Sequence, residues 1–208
     1  MENNKLPQRL HEILVGYLLG DGGIFYASKK SGSPRFEFSM GQERVEFAKH
    51  LALLFKDYAS NGLKEVKVKA IPNGSFYTSY RFKTQSLELF NYYRDLFYVT
   101  NQDTGRAVKV VPQNIAELLT PIAIAYLIMA DGNYDRGRNR VRIYTNSFSK
   151  EEVTLLATAI QLKFDIYVGV LADKKNQYIL TIGAKELPKL KRLVSQHMLP
   201  SMKYRIGS

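Results

Sequence analysis

Leu14-Val15-Gly16-Tyr17-Leu18-Leu19-Gly20-Asp21-Gly22 and Ile124-Ala125-Tyr126-Leu127-Ile128-Met129-Ala130-Asp131-Gly132 decide the reading of this chain. Each stretch is apolar until an aspartate that precedes a glycine. The first completes a stripe through Leu10, Ile13, Leu14, Tyr17 and Leu18, the spacing of an amphipathic helix, and the glycines from Gly20 onward stop it. The second follows Thr120-Pro121, a good N-cap with proline at the first helical position. For stability an aspartate at a helix C-terminus is badly placed, because the partial negative charge there repels it by about 0.3–1 kcal/mol. A divalent cation reverses that sign. Hard cations take carboxylates and carbonyls, and the orphan carbonyls of Gly20 and Ala130 face the same way as Asp21 and Asp131. One such aspartate reads as a solvated turn residue; two in register point to metal. Val15, Leu19, Ile124, Leu127 and Met129 lie outside the narrow stripes, so each helix wants partners on two sides, and Gly16, Ala123 and Ala125 would let two backbones approach closely.

Around these helices one unit recurs. After the first come an alternating strand at Arg35–Met40, a helix through Val45, Ala48, Leu51, Ala52 and Phe55, strands at Glu65–Lys69 and Tyr77–Lys83, and a helix through Leu87, Phe90 and Phe97. After the second come a strand at Arg140–Asn146, a capping box at Ser149–Glu152, a helix through Val153, Leu156, Ala157 and Ile160, strands at Ile166–Leu171 and Gln177–Ile182, and a helix through Leu187, Leu190 and Val194. Each half reads as α-β-α-β-β-α, with Thr100–Gln113 connecting them. Equivalent landmarks stay about 110 positions apart, which argues for duplication over coincidence. The expected halves are residues 1–105 and 118–208, with a connector at 106–117.

The chain has 208 residues, 30 basic and 19 acidic, for a net charge of +11. That imbalance favours a polyanionic partner, nucleic acid or an acidic membrane. The best apolar runs, Leu10–Leu19 and Ile122–Ala130, fall well short of the roughly 20 residues a membrane span needs, so a soluble chain is expected. With no cysteine, thiolate catalysis and cysteine-based zinc sites are excluded, and His11, His50 and His197 are scattered, so a metal site must use oxygen ligands. Met1–Gln8 carries neither a secretory core nor an Arg-rich transit pattern, so the protein is expected to act in the compartment where it is made.

The paired nonapeptides resemble the motif of the LAGLIDADG homing endonucleases, and two copies each followed by strand and long helix resemble the single-chain branch of that family over nearly the whole sequence. Lys109-Val110-Val111-Pro112 and Leu199–Arg205 extend the likeness. The resemblance implies an α+β fold of two pseudo-symmetric domains with antiparallel saddle-shaped sheets, packed through the motif helices. It implies a monomer that cleaves both strands of double-stranded DNA across the minor groove at a long asymmetric target, leaving short 3′ overhangs. Two or three Mg²⁺ ions would serve the shared site, with Mn²⁺ substituting, in an organelle, the mitochondrion. On this likeness Asp21 and Asp131, helped by the Gly20 and Ala130 carbonyls, bind metal, and Lys109 and Arg205 lie beside the scissile phosphates. The motif's first acidic residue is missing, with Leu19 and Met129 in its place, and Tyr126 stands where a small residue is usual.

If the apolar positions of each strand face the helices, the alternate positions face out. Those are Arg35, Glu37 and Ser39; Lys67 and Lys69; Ser79, Arg81 and Lys83; and Arg138, Arg140, Arg142 and Asn146, a set suited to base edges in the major groove. Lys29, Lys30, Lys174 and Lys175 in the turns suit phosphates. Two other functions stay open on the same scaffold: an RNA maturase acting on intron RNA, and a sequence-specific DNA-binding protein without catalysis, which predicts loss of an aspartate. No basic amphipathic helix suggests a membrane-surface role.

Overall fold

The computed structural model describes residues 5–28, 30–69 and 74–208, so Lys29 and the first part of Met1–Gln8 lie outside the described residues. In chain order the elements are α1 (Gln8–Leu18), β1 (Gly23–Tyr26), β2 (Pro34–Gly41), α2 (Val45–Leu54), β3 (Lys64–Lys69), β4 (Phe76–Lys83), α3 (Leu89–Phe97), β5 (Tyr98–Thr100), β6 (Ala107–Lys109), α4 (Ile115–Leu118), α5 (Pro121–Asp131), β7 (Gly132–Asp135), β8 (Arg140–Tyr144), α6 (Lys150–Phe164), β9 (Gly169–Lys174), β10 (Gln177–Ile182) and α7 (Leu187–Val194). The chain divides into two compact units, one of Met1–Leu6 with Gly22–Arg94, the other of Pro7–Asp21 with Asp95–Ser208. Compactness thus groups α1 with the second unit, a division distinct from that into sequence repeats.

Unit 1 is a four-stranded antiparallel sheet in the order β1-β2-β4-β3. Phe36, Phe38 and Met40 of β2 share one face with Tyr80 and Phe82 of β4 and are buried, as are Phe47, Ala48 and Leu51 of α2. The Phe38 and Phe82 rings stack at 5.3 Å and Phe36 meets Phe55 at 5.0 Å, aromatic contacts that add to the area buried. Arg94 ties α3 to the sheet by donating to the Ile24 carbonyl at 2.6 Å.

Unit 2 repeats the sheet, in the order β7-β8-β10-β9. Val141, Ile143, Leu180 and Ile182 form its inner face and are buried together with Val153, Leu156 and Ile160 of α6. The caps read from the sequence are present. Thr120 Oγ1 accepts from the Ala123 amide, and Ser149 and Glu152 make a reciprocal capping box. The α+β class with antiparallel sheets is therefore as expected.

Each copy of the element order gains a strand, β1 or β7, directly after the motif aspartate, giving α-β-β-α-β-β-α. Gly23-Ile24-Phe25-Tyr26 is four residues without polar alternation and Gly132-Asn133-Tyr134-Asp135 has one aromatic, so neither carries the period-two signal. The connector holds the β5–β6 hairpin and the short α4. Strand β9 starts at Gly169, three residues later than the expected Ile166, and α3 at Leu89. Arg138 is not on a strand: it ends the single 3₁₀ turn Arg136–Arg138, closed by Asn139 at φ 45°. The proposed ladder of three arginines on one strand reduces to Arg140 and Arg142.

Candidate active site and nucleic-acid face

In unit 2, α1 and α5 come together at their small residues. A Cβ on Gly16 would overlap the backbone of Ala123, lying 2.7 Å from its Cα, and a Cβ on Gly20 would lie 2.5 Å from Asp131 Oδ2 and 2.8 Å from Ala130 Cβ. Only glycine allows that approach. The C-terminal half of α1, Ile13–Leu18, and most of α5, Ala123–Ala130, are buried all round, which explains why they are apolar on more than one face. Their C-terminal ends are not identical. Asp131 is the last residue of α5 and half-buried, whereas Asp21 stands beyond the C-cap residue Leu19 and is exposed.

Lys109 reaches this place from the end of β6. The hairpin is anchored where the Val110 amide donates to Phe97 O at 2.8 Å and the Val111 amide donates to Glu152 Oε1 at 3.0 Å. Lys109 Nζ donates to the Gly20 carbonyl at 2.7 Å. Burial pushes its ammonium down to about 8, while the charges of Asp131 and then Asp21 pull it back up. One cation therefore feels both motif carboxylates. Arg205 takes the corresponding place after α5. It sits in the 3₁₀ segment Pro200–Ile206, donates through Nη1 to the Gly132 carbonyl, and holds its guanidinium 5.6 Å from the Tyr204 ring centre. Arg205 Nε is buried without a hydrogen-bond partner among the described residues. Gly207, at φ 71°, lets the chain turn there, and a Cβ would strike the Tyr134 ring at 2.6 Å.

The donor set fits a hard divalent cation. Asp131 lies against Gly20, and Lys109, bonded to the Gly20 carbonyl, feels the charges of both Asp131 and Asp21, so the groups gathered here include carboxylates and a helix-end carbonyl, oxygen ligands of the kind Mg²⁺ takes. The Gly20 carbonyl already accepts from Lys109, but a carbonyl oxygen has two lone pairs, so one bond to the ammonium leaves the other for a metal. No cluster of three histidines or carboxylates occurs among the described residues, so water and phosphate oxygens would complete any coordination shell.

On the outer face of the unit 1 sheet the pairing places Arg35, Glu37, Ser39, Ser79, Arg81 and Lys83 together. Arg35 is ion-paired with Glu37, and Ser39 shares a hydrogen bond of 2.8 Å with Ser79, which is buried. Lys67 and Lys69 do not face this way. Lys67 pairs with Thr78 and Lys69 with Phe76, on the same side as Tyr80, whereas Val66 and Val68 join Ser79 and Tyr77 on the outer face. The alternation inverts because β3 is the edge strand, and both lysines are exposed there on the side that elsewhere carries the core. In unit 2, Arg140 and Arg142 face outward with Asn133 and Asp135. Arg140 Nε donates to Asp135 Oδ2 at 3.0 Å, and that bond holds the carboxyl below its usual range. Arg142 Nε is buried without a hydrogen-bond partner among the described residues, and its guanidinium lies 5.8 Å from the Tyr144 ring centre. Asn146 lies beyond the end of β8. Lys30, Lys174 and Lys175 are exposed, Lys174 ending β9 and Lys175 preceding Asn176 at φ 56°. The outer-face residues that sequence reasoning missed include Lys64, Asn133, Asp135, Tyr144, Ile179 and Thr181 and the apolar Phe25, Val66, Val68, Tyr77 and Leu171. Only strand register reveals them.

The profile of the LAGLIDADG DNA endonuclease family matches residues 11–190. The chain is 28% identical over 217 residues to the cytochrome b mRNA maturase bI2 of Saccharomyces cerevisiae, covering 100% of this chain but 50% of that protein. This chain thus spans about half the length of that relative. It is 29% identical over 129 residues to the probable intron-encoded DNA endonuclease 3 of Mycosarcoma maydis, covering 62% of this chain and 93% of that protein. Among solved structures, the homing endonuclease I-WcaI bound to its DNA recognition sequence superposes with a TM-score of 0.86 at 23% identity, covering 97% of this chain and 87% of that one. At that identity the likeness concerns the fold.

Proposed function

Because the chain belongs to the LAGLIDADG DNA endonuclease family, we propose that it is a site-specific homing endonuclease that hydrolyses both strands of double-stranded DNA at a long asymmetric target and leaves short 3′ overhangs. The observation that carries this reading is the placement of Asp21 and Asp131 at the ends of two closely packed helices, both within the field of Lys109. Asp21 and Asp131, with the Gly20 and Ala130 carbonyls, would hold two or three Mg²⁺ ions, and Mn²⁺ would substitute. Such an ion supplies Lewis acidity toward a phosphoryl oxygen and makes water a stronger acid. The protein's own cations do the remaining electrostatic work. Lys109 and Arg205, each bonded to a carbonyl at one motif terminus, would donate to phosphate oxygens, one per strand. The sheet faces would present Arg35, Glu37, Ser39, Arg81, Lys83, Arg140 and Arg142 to bases, joined by Asn146 beyond the end of β8, with Arg138, Lys174 and Lys175 toward phosphates. Lys67 and Lys69, on the opposite side of β3, are left to phosphate contact at the edge.

On the repeat division, residues 1–105 and 118–208 are the two motif-bearing halves, joined by 106–117, and one chain supplies both aspartates as a monomer. The organellar setting, the mitochondrion, accords with a relative named for cytochrome b mRNA. That same name supports a second reading, assistance to splicing of intron RNA, which a splicing assay with the purified protein tests directly.

The decisive experiment is Asp21→Asn and Asp131→Asn assayed for cleavage and for binding on the same duplex. Each variant is expected to abolish double-strand cleavage while retaining affinity within a few-fold, because the carboxylates act on metal and not on DNA. Full double-strand cutting by either variant would refute the shared centre.

A further inference from the structure

Each sheet carries, on the face turned away from its core, an apolar row that phosphate binding does not explain. In unit 1, Val66 and Val68 occupy that face by pairing with Ser79 and Tyr77, and Tyr77 is 52% exposed. In unit 2, Ile179 pairs with Tyr144 on one side and Leu171 on the other, and Leu171 is 43% exposed. The register rules out a core role, since the inner faces are built from Phe38, Phe82, Ile143 and Leu180 and their neighbours. Cross-strand packing accounts for the buried Ile179. It does not account for a tyrosine and a leucine left about half in water.

The rows are set among cations. Lys64 pairs with Arg81 two positions along from Val66, and Arg142 stands next in line to Tyr144, its guanidinium 5.8 Å from that ring. A second copy of the same chain would bring like charges together, whereas a polyanion meets the rows and their flanks at once. On the exposed major-groove edges of a duplex, the chemical group that gains from aliphatic contact is the C5-methyl of thymine, since the other edge groups are hydrogen-bond donors and acceptors. We propose that Val66, Val68 and Tyr77 in one sheet, and Tyr144, Ile179 and Leu171 in the other, read thymine methyl groups, so that part of the target is specified by methyl contact in place of hydrogen bonding. This rests on the reading of the protein as a DNA-binding endonuclease.

The test uses one randomised duplex library prepared twice, once with thymidine and once with deoxyuridine throughout, which removes only the C5-methyl. Duplexes are selected by binding to the intact protein in Ca²⁺. Thymines fixed in the first selection should lose their preference in the second, with the rest of the consensus unchanged, and each methyl removed from a recovered duplex should weaken binding about fourfold. Leu171→Ser and Tyr77→Ser should each release some of the same positions in the thymidine library. An identical consensus from both libraries overturns the methyl-reading proposal and leaves the endonuclease reading standing. So does a variant that alters enrichment while the wild type ignores uracil, because the rows then serve only the sheet. Failure of any duplex to enrich from either library overturns both readings.

Discussion

At the scale of single residues, the paired aspartates were legible because an aspartate at a helix C-terminus is a local fault that needs an external reason. Lys109 and Arg205 were legible only through family likeness. Their positions come from a hairpin and a 3₁₀ segment that no periodicity marks. The side on which Lys67 and Lys69 lie was misread because charge alternation gives the period but not the face, and at an edge strand, where these lysines stay exposed, polar residues are free to take the inner side. Tyr126, in the place the motif usually gives to a small residue, is accommodated by burial and remains titratable. Burial pushes its phenol up to about 12, opposed by the charge of Arg9. A raised folded-state value means that the unfolded chain ionises first, from about pH 10, so this contribution to stability is complete below that and lost as pH rises through about 12. Tyr126→Phe should therefore flatten the fall of Tm between about pH 10 and 12. Parallel curves for the two proteins would disprove the assignment.

At the scale of elements, the α1–α5 pair is built on the contact of Gly16 with Ala123, and that makes a specific demand on the sequence. Gly16→Ala forces a methyl into the facing backbone and should cost about 1–3 kcal/mol in urea unfolding, where Gly183→Ala, with nothing within 4 Å, should cost less than about 0.5 kcal/mol. Equal effects would mean that the helices separate at no cost. Glu152 is the other junction, since Oε2 accepts from the Ser149 amide at 2.7 Å and Oε1 from the Val111 amide at 3.0 Å. Ser149→Ala should destabilise by about 1 kcal/mol, the loss of one cap. Glu152→Ala should exceed it, because it also strands the amide of buried Val111, a penalty of about 1–3 kcal/mol. The capping boxes and long helices were readable in the sequence because their signals are local. Strands β1 and β7 were not, being four residues each and fixed by pairing with β2 and β8 rather than by their own composition.

At the scale of the whole molecule, the charge of +11 predicts that duplex affinity falls steeply with salt, by a factor of roughly 10³ or more between about 50 and 200 mM if six or more phosphates are neutralised. A flat salt profile would remove the extensive phosphate footprint. The duplicated element order was legible from spacing, and the approach of α1 and α5 from their small residues Gly16, Ala123 and Ala125, but the grouping of α1 with the second compact unit was not, because the sequence repeat places α1 in the first half. That assignment has a consequence at the ribosome. Helix α1 is translated before α5, its partner at the Gly16 face, which begins more than roughly 100 residues later, an interval on the order of 5–20 s at ordinary elongation rates. Throughout that time the nascent chain carries an apolar helix face without α5 to cover it, a natural client for a chaperone. A ribosome that stalls before Pro121 releases one motif aspartate without the other, so under the proposed function an aborted translation product would carry no complete cutting centre into contact with DNA.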